Sequence, residues 1–156
     1  MKSIITESDY NCGGYALETY DWYLPYGYDE DREDAVNELI LEGCSETEIY
    51  SILRDRDLSN MLRDFKDRIR IIHNELEALE NERIIAYRFF IEFISYGGAV
   101  YYDNSDFHYR VKTSTGWVEK NGCAPVSKVK NMSLVSPWIA ECGTYDSEII
   151  LLAFKN

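Results

Sequence analysis

Long apolar runs are missing from this chain of 156 residues. None approaches the ~20 residues needed to cross a bilayer, so no membrane partner is expected. The amino-terminal stretch lacks a charged region followed by an apolar one, which predicts a cytoplasmic protein. There are four cysteines, at positions 12, 44, 123 and 142, and no two have metal-ligand spacing. Reduced thiols, and neither metal nor cofactor, are therefore expected. Histidine is scarcer still, with only His73 and His108. His73 lies among Asn74, Glu75 and Glu77 on a predicted exposed helix face and needs no metal to explain it. Bases are short as well: 16 Lys and Arg against 28 Asp and Glu leave a net charge of −12. Such a chain is poorly suited to gripping nucleic-acid phosphate, which argues against direct nucleic-acid binding.

The acidity is concentrated in the middle. Residues 29–96 carry eighteen acids and nine bases, whereas 97–156 carry six of each. Thirteen tyrosines gather mainly in 10–28 and 87–109, where a ring with a polar tip suits half-buried positions. The length predicts a single domain over 1–156.

The pattern predicts a first helix over 12–23, stopped by Pro25 and Gly27, and a second over 30–42 with Ala35, Val36, Leu39 and Ile40 on one face. Ser45 and Glu48 form a capping box for a short third helix. Asp57 is read as the cap of a long helix over 58–95. There, Leu58, Leu62, Phe65, Ile69, Ile72, Leu76 and Leu79 recur at alternating four and three, and the register runs on through Ala86, Phe90 and Phe93. A helix of that length would span about 55 Å, so the Leu58–Phe93 seam is expected to pack on the preceding helices or to build a homodimer. The residues between Leu39 and Ile49 resemble the front of a helix-turn-helix, but the helix that would read DNA, 57–65, has only Arg63 among acids.

Beyond Gly97-Gly98 the pattern turns to strands at 100–103, 107–112, 117–120, 133–135, 138–142 and 148–154. The fold class is α+β, with helices first and an antiparallel sheet after. A hairpin loop at 113–116 sets Lys112 opposite Trp117, Arg110 opposite Glu119 and His108 opposite Asn121. His108, Arg110, Glu119 and Asn121 then share one face, while Phe107, Tyr109 and Val111 point into the core with Val118.

The run Tyr10-Asn11-Cys12-Gly13-Gly14 places a thiol at a helix N-terminus, where the free N–H groups and the helix dipole favour a thiolate. A thiolate can act as a nucleophile if a histidine reaches it, and His108 is the candidate. Glu119 diagonally, or Asn121 directly opposite, would orient the imidazole.

A cysteine opening a helix in Asn11-Cys12-Gly13-Gly14, followed by a histidine on a strand in Asp106-Phe107-His108-Tyr109-Arg110 and a polar residue on the next strand, resembles the papain-like cysteine hydrolases. The similarity is to their small NlpC/P60-like members and covers roughly 8–24 and 98–156. It implies a papain-like α+β core from 1–28 and 97–156, with 29–96 as an acidic, coiled-coil-like helical insertion. It also implies a cysteine peptidase, amidase or acyl-transfer enzyme acting on a peptide-like amide of a protein or peptide substrate. Its site would be Cys12 as nucleophile, His108 as base and Glu119 or Asn121 as the third residue, with Asn11 helping the Cys12 N–H at the oxyanion. The acidic segment supports a different expectation: a non-enzymatic protein that binds a basic partner through the helical insertion, in the style of phage-encoded inhibitors of host defence such as anti-CRISPR proteins.

Overall fold

The computed structural model describes residues 4–140 and 142–155. Three helices come first: α1 (Cys12–Ala16), α2 (Asp29–Leu41) and α3 (Glu46–Phe65). Eight strands follow: β1 (Ile69–Ile71), β2 (Arg83–Tyr96), β3 (Ala99–Thr113), β4 (Gly116–Lys120), β5 (Val126–Lys128), β6 (Trp138–Ala140), β7 (Gly143–Tyr145) and β8 (Ile150–Phe154). Six of them form an antiparallel sheet in the order β1-β8-β2-β3-β4-β5, and β6 pairs with β7 in a separate hairpin. The α+β class is as the sequence predicts. Among the described residues no helix is long and apolar enough to cross a membrane.

Strand alternation sorts the sheet's side chains into two cores. Ile85, Tyr87, Phe89 and Ile91 of β2 meet Phe107, Tyr109 and Val111 of β3 beneath the three helices. Ile84, Ala86 and Phe90 face the other way, onto Trp138 and Tyr145 of the β6–β7 hairpin. The sheet is thus the middle layer of three.

That arrangement overturns the long helix over 58–95. The helix stops at Phe65, and Arg83–Tyr96 is the central strand of the sheet. Because β2 is apolar on both faces, its period of two is hidden, and its residues coincide with heptad positions by chance. No Leu58–Phe93 seam exists: Leu76 is 94 % exposed, whereas Ala86 and Phe90 are buried in the sheet, so the homodimer expected from that seam loses its basis. Nor is 29–96 a purely helical insertion, since its last fourteen residues form a strand that pairs with β3 and β8. Gly97 and Gly98 end no helix. With φ of +60° and +81° they make the two-residue turn joining β2 to β3, a conformation glycine adopts without strain.

Smaller differences have equally local causes. The first helix ends at Ala16 rather than 23, because the Gly14 carbonyl accepts from the N–H groups of Thr19 and Tyr20 and turns the chain back. Asp57 lies inside α3, where its carboxylate takes Arg32 of α2 and the hydroxyl of Tyr87. The Ser45–Glu48 capping box forms as expected at the start of α3. Residues 133–135 make no strand, since the Ser133 hydroxyl accepts from the N–H groups of Val135 and Ser136 and closes a turn. The β3–β4 loop is tighter than predicted, with Thr113 paired to Gly116, yet the register is unchanged.

Candidate active site

Asn11 caps α1 and organises everything around it. Its side-chain oxygen accepts from Gly14 N (2.9 Å) and Tyr23 N (3.0 Å), and its Nδ2 donates to Tyr23 O (2.8 Å). The returning 18–23 turn is thereby pinned against the helix, and one of the two Nδ2 hydrogens of Asn11 is committed to Tyr23 O. The turn packs so closely that a Cβ on Gly14 would stand 1.9 Å from Asp21 O. Cys12 follows as the first residue of the helix, 6 % exposed. The N–H groups of Cys12 and Gly13 are left without helical partners there, as at any helix start.

β4 ends at Lys120, one residue short of the position opposite His108. Beyond that point β4 no longer pairs with β3, and α1 packs against β3. Burial dominates the thiol's chemistry. It raises the Cys12 pKa to about 12; the backbone N–H groups of Tyr109, Gly13 and Cys12 act the other way, and the Asp106 charge adds to the rise. The preformed thiolate expected at the helix N-terminus is therefore replaced by a neutral thiol at rest.

His108 lies on the opposite face of β3 from Tyr109, 4 % exposed, with its ring 5.4 Å from that of Tyr145 and edge-on to Trp138. Its Nε2 bonds Glu119 Oε1 at 2.7 Å. Glu119 also accepts from Arg110 Nε at 3.1 Å, the residue directly across the strand pair. Burial opposes ionisation of Glu119, but the His108 hydrogen bond and the Arg110 charge overcome it and hold the carboxyl below its ordinary range. Arg110 is in turn stacked on Trp138, 4.5 Å from the ring centre. Of the two candidates for the third residue, Glu119 is the imidazole's partner. Asn121 lies at the cavity wall instead.

Cys12 and His108, ninety-six positions apart, line one cavity of about 560 Å³ with Asn121. Among the described residues the one His108 ring nitrogen seen in a hydrogen bond is Nε2, bonded to Glu119. Sequence reasoning missed several contributors. The β6–β7 hairpin supplies Tyr145 against His108, and nothing in the local pattern ties residue 145 to residue 108. Asp106 orients by accepting from the Tyr145 hydroxyl (2.7 Å) and Phe107 N (2.9 Å). Lys120, fully buried, donates to the carbonyls of Glu7, Tyr10 and Gly122, and so fastens the chain before α1 to the 121–124 loop. Among the described residues no three His, Cys, Asp or Glu side chains are grouped to hold a metal ion.

No family model matches this chain, and no curated protein or solved structure is significantly similar to it.

Proposed function

We propose that the protein is a cysteine hydrolase or acyl-transfer enzyme of papain-like type, with Cys12 as nucleophile, His108 as base and Glu119 as the residue that orients the imidazole. The observation that carries this reading is the opening of Cys12 and His108 onto one cavity while Glu119 holds Nε2 of the ring. With Nε2 bonded to Glu119, His108 Nδ1 is the nitrogen able to take the thiol proton. Because the resting group is a thiol, the proton moves as the sulfur attacks rather than beforehand. The Cys12 sulfur bonds to the carbonyl carbon of a peptide-like amide, and the carbonyl π electrons move to oxygen. That oxyanion meets the N–H groups of Cys12 and Gly13, which have no helical partner at the helix start. Collapse breaks the C–N bond, and the imidazolium returns its proton to the leaving amine. Water or a second amine then attacks the thioester, giving its proton to His108, and the Cys12 sulfur leaves as thiol by taking that proton.

A second reading is favoured by a different observation. α2 exposes Asp29, Glu30, Asp31, Glu33, Asp34 and Glu38, while its one base, Arg32, is buried. That face suits a basic protein partner and a non-enzymatic, inhibitor-like role.

Incubation with p-nitrophenyl acetate and peptide mass mapping separates the two. One acetyl group on Cys12, lost in His108→Ala and reduced about 100-fold or more in rate, is the expected result. Acetylation spread evenly over the four cysteines, or unchanged by His108→Ala, refutes the enzyme reading.

A further inference from the structure

Part of this cavity's wall is acidic and aromatic. Asp106 lies two residues before His108 on β3, Asp29 opens α2, and both line the cavity together with Trp22 and Tyr26. No lysine or arginine among the described residues lines it. Among the described residues neither carboxylate takes part in an ion pair. The bases that come near are committed elsewhere: Lys120 to three backbone carbonyls, and Arg32, stacked 4.1 Å from the Tyr26 ring centre, to Asp57.

Asp29, Asp106 and Tyr26 line the same cavity as Cys12. The Tyr145 hydroxyl and the Phe107 N–H fix the direction of the Asp106 carboxylate. Two groups more than nine-tenths buried, Cys12 and His108, open onto the same space. An oriented carboxylate with no basic partner, set beside aromatic faces and a nucleophile, is recognition chemistry for a cation.

We propose that the cavity selects substrates carrying a positively charged group, a lysine-like ammonium or an amine, beside the amide that Cys12 attacks. Asp106 is the principal counter-ion, Asp29 the second, and Trp22 and Tyr26 are the walls. The assignment rests on the Cys12–His108 reading above and adds a substrate class to it. It also gives Asp106 a purpose. A carboxylate near a nucleophilic thiol hinders its ionisation, and a cation docked on that carboxylate lifts the hindrance only when a fitting substrate is present.

The test measures equilibrium binding to the Cys12→Ser protein, which cannot turn the probes over in the usual way. The probes are Nα-acetyl-lysine methylamide, its norleucine and glutamate counterparts, and alaninamide, whose only cation is the α-ammonium. A lysine or alaninamide dissociation constant at least about tenfold below that of norleucine is expected, with glutamate weakest. Asp106→Asn, which keeps the side chain's shape and one of its two acceptor oxygens, should reduce the preference to about threefold or less. Equal binding of lysine, alaninamide and norleucine overturns the proposal. So does a preference that survives in the Asp29→Asn/Asp106→Asn protein, or binding of none of the four. Failure of the underlying reading looks different: a charge preference that persists while Cys12 of the unmodified protein never takes an acetyl group removes catalysis and keeps the cation site.

Discussion

Replacing Arg32 by methionine tests how the cavity's α2 wall is held. The Arg32 and Asp57 side chains are 2 % and 0 % exposed, and they join α2 to α3 beneath β2. Asp57 Oδ2 takes both Arg32 and Tyr87, and Oδ1 has no partner among the described residues. Loss of the guanidinium would leave a buried carboxylate with one hydroxyl donor, and breaking such a pair from one side costs about 3–5 kcal/mol. The stacking on Tyr26 (4.1 Å) and Phe89 (5.3 Å) goes as well, adding about 0.5–2 kcal/mol, part of which methionine recovers by packing. A total of about 4–5 kcal/mol is expected against a typical domain stability of about 5–15 kcal/mol. With a urea m value of about 2 kcal/mol/M, the midpoint should fall by about 2 M, read by tryptophan fluorescence and circular dichroism together. The double variant Arg32→Met/Asp57→Leu removes both charges and should recover at least about 3 kcal/mol relative to the sum of the single costs. Single costs below about 1 kcal/mol, or costs that simply add in the double variant, would refute the argument that the pair is a coupled buried unit.

Three further expectations follow from the site. Gly14→Ala puts a methyl onto Asp21 O and should lower stability by about 3 kcal/mol, whereas Gly13→Ala, with nearest contacts of 3.1 Å, should cost clearly less; thermal melts that rank them the other way remove the close-approach argument. Glu119 has a folded pKa below its unfolded value, so its stabilisation is complete above the ordinary carboxyl range near about 4.3 and vanishes as pH falls through the depressed value. The stability gap between wild type and Glu119→Gln should accordingly be full above about pH 5.5 and shrink as pH falls below about 4.3, and a gap that grows on acidification contradicts it. Iodoacetamide alkylation of Cys12, with the other three cysteines changed to serine, should climb steadily with pH because burial raises its pKa to about 12. Free cysteine levels off above about pH 8.5, and a Cys12 plateau there would mean that burial does not govern the thiol.

Legibility in the sequence followed the locality of each cause. The β3–β4 hairpin register was readable because alternation and a short loop fix it within fourteen residues, and the His108–Glu119 contact came with it. The Asn11-Cys12-Gly13-Gly14 turn was readable as a helix start, though the helix's early end was not, since it depends on the Gly14 carbonyl meeting Thr19 and Tyr20. β2 was misread because a strand covered on both faces shows no alternation, and only the partner layers reveal why Ile84 and Ile85 are buried alike. The resting state of Cys12 escaped for the same reason: the helix terminus is visible in the chain, but the surroundings that exclude water are not. Asp106 and Tyr145 meet through a hairpin thirty-nine residues away, which no spacing rule anticipates.

The Lys120 ammonium makes the amino-terminal arm part of the cavity. One cation holds carbonyls from residues 7, 10 and 122 and sits 4.5 Å from the Tyr10 ring centre. Neutralising it would strand three oxygens at once, so arm and loop should loosen together rather than separately. Anything that tugs on the chain ahead of Asn11, a fused partner or a trimmed end, is therefore felt at Asn121 and Cys123 in the cavity wall.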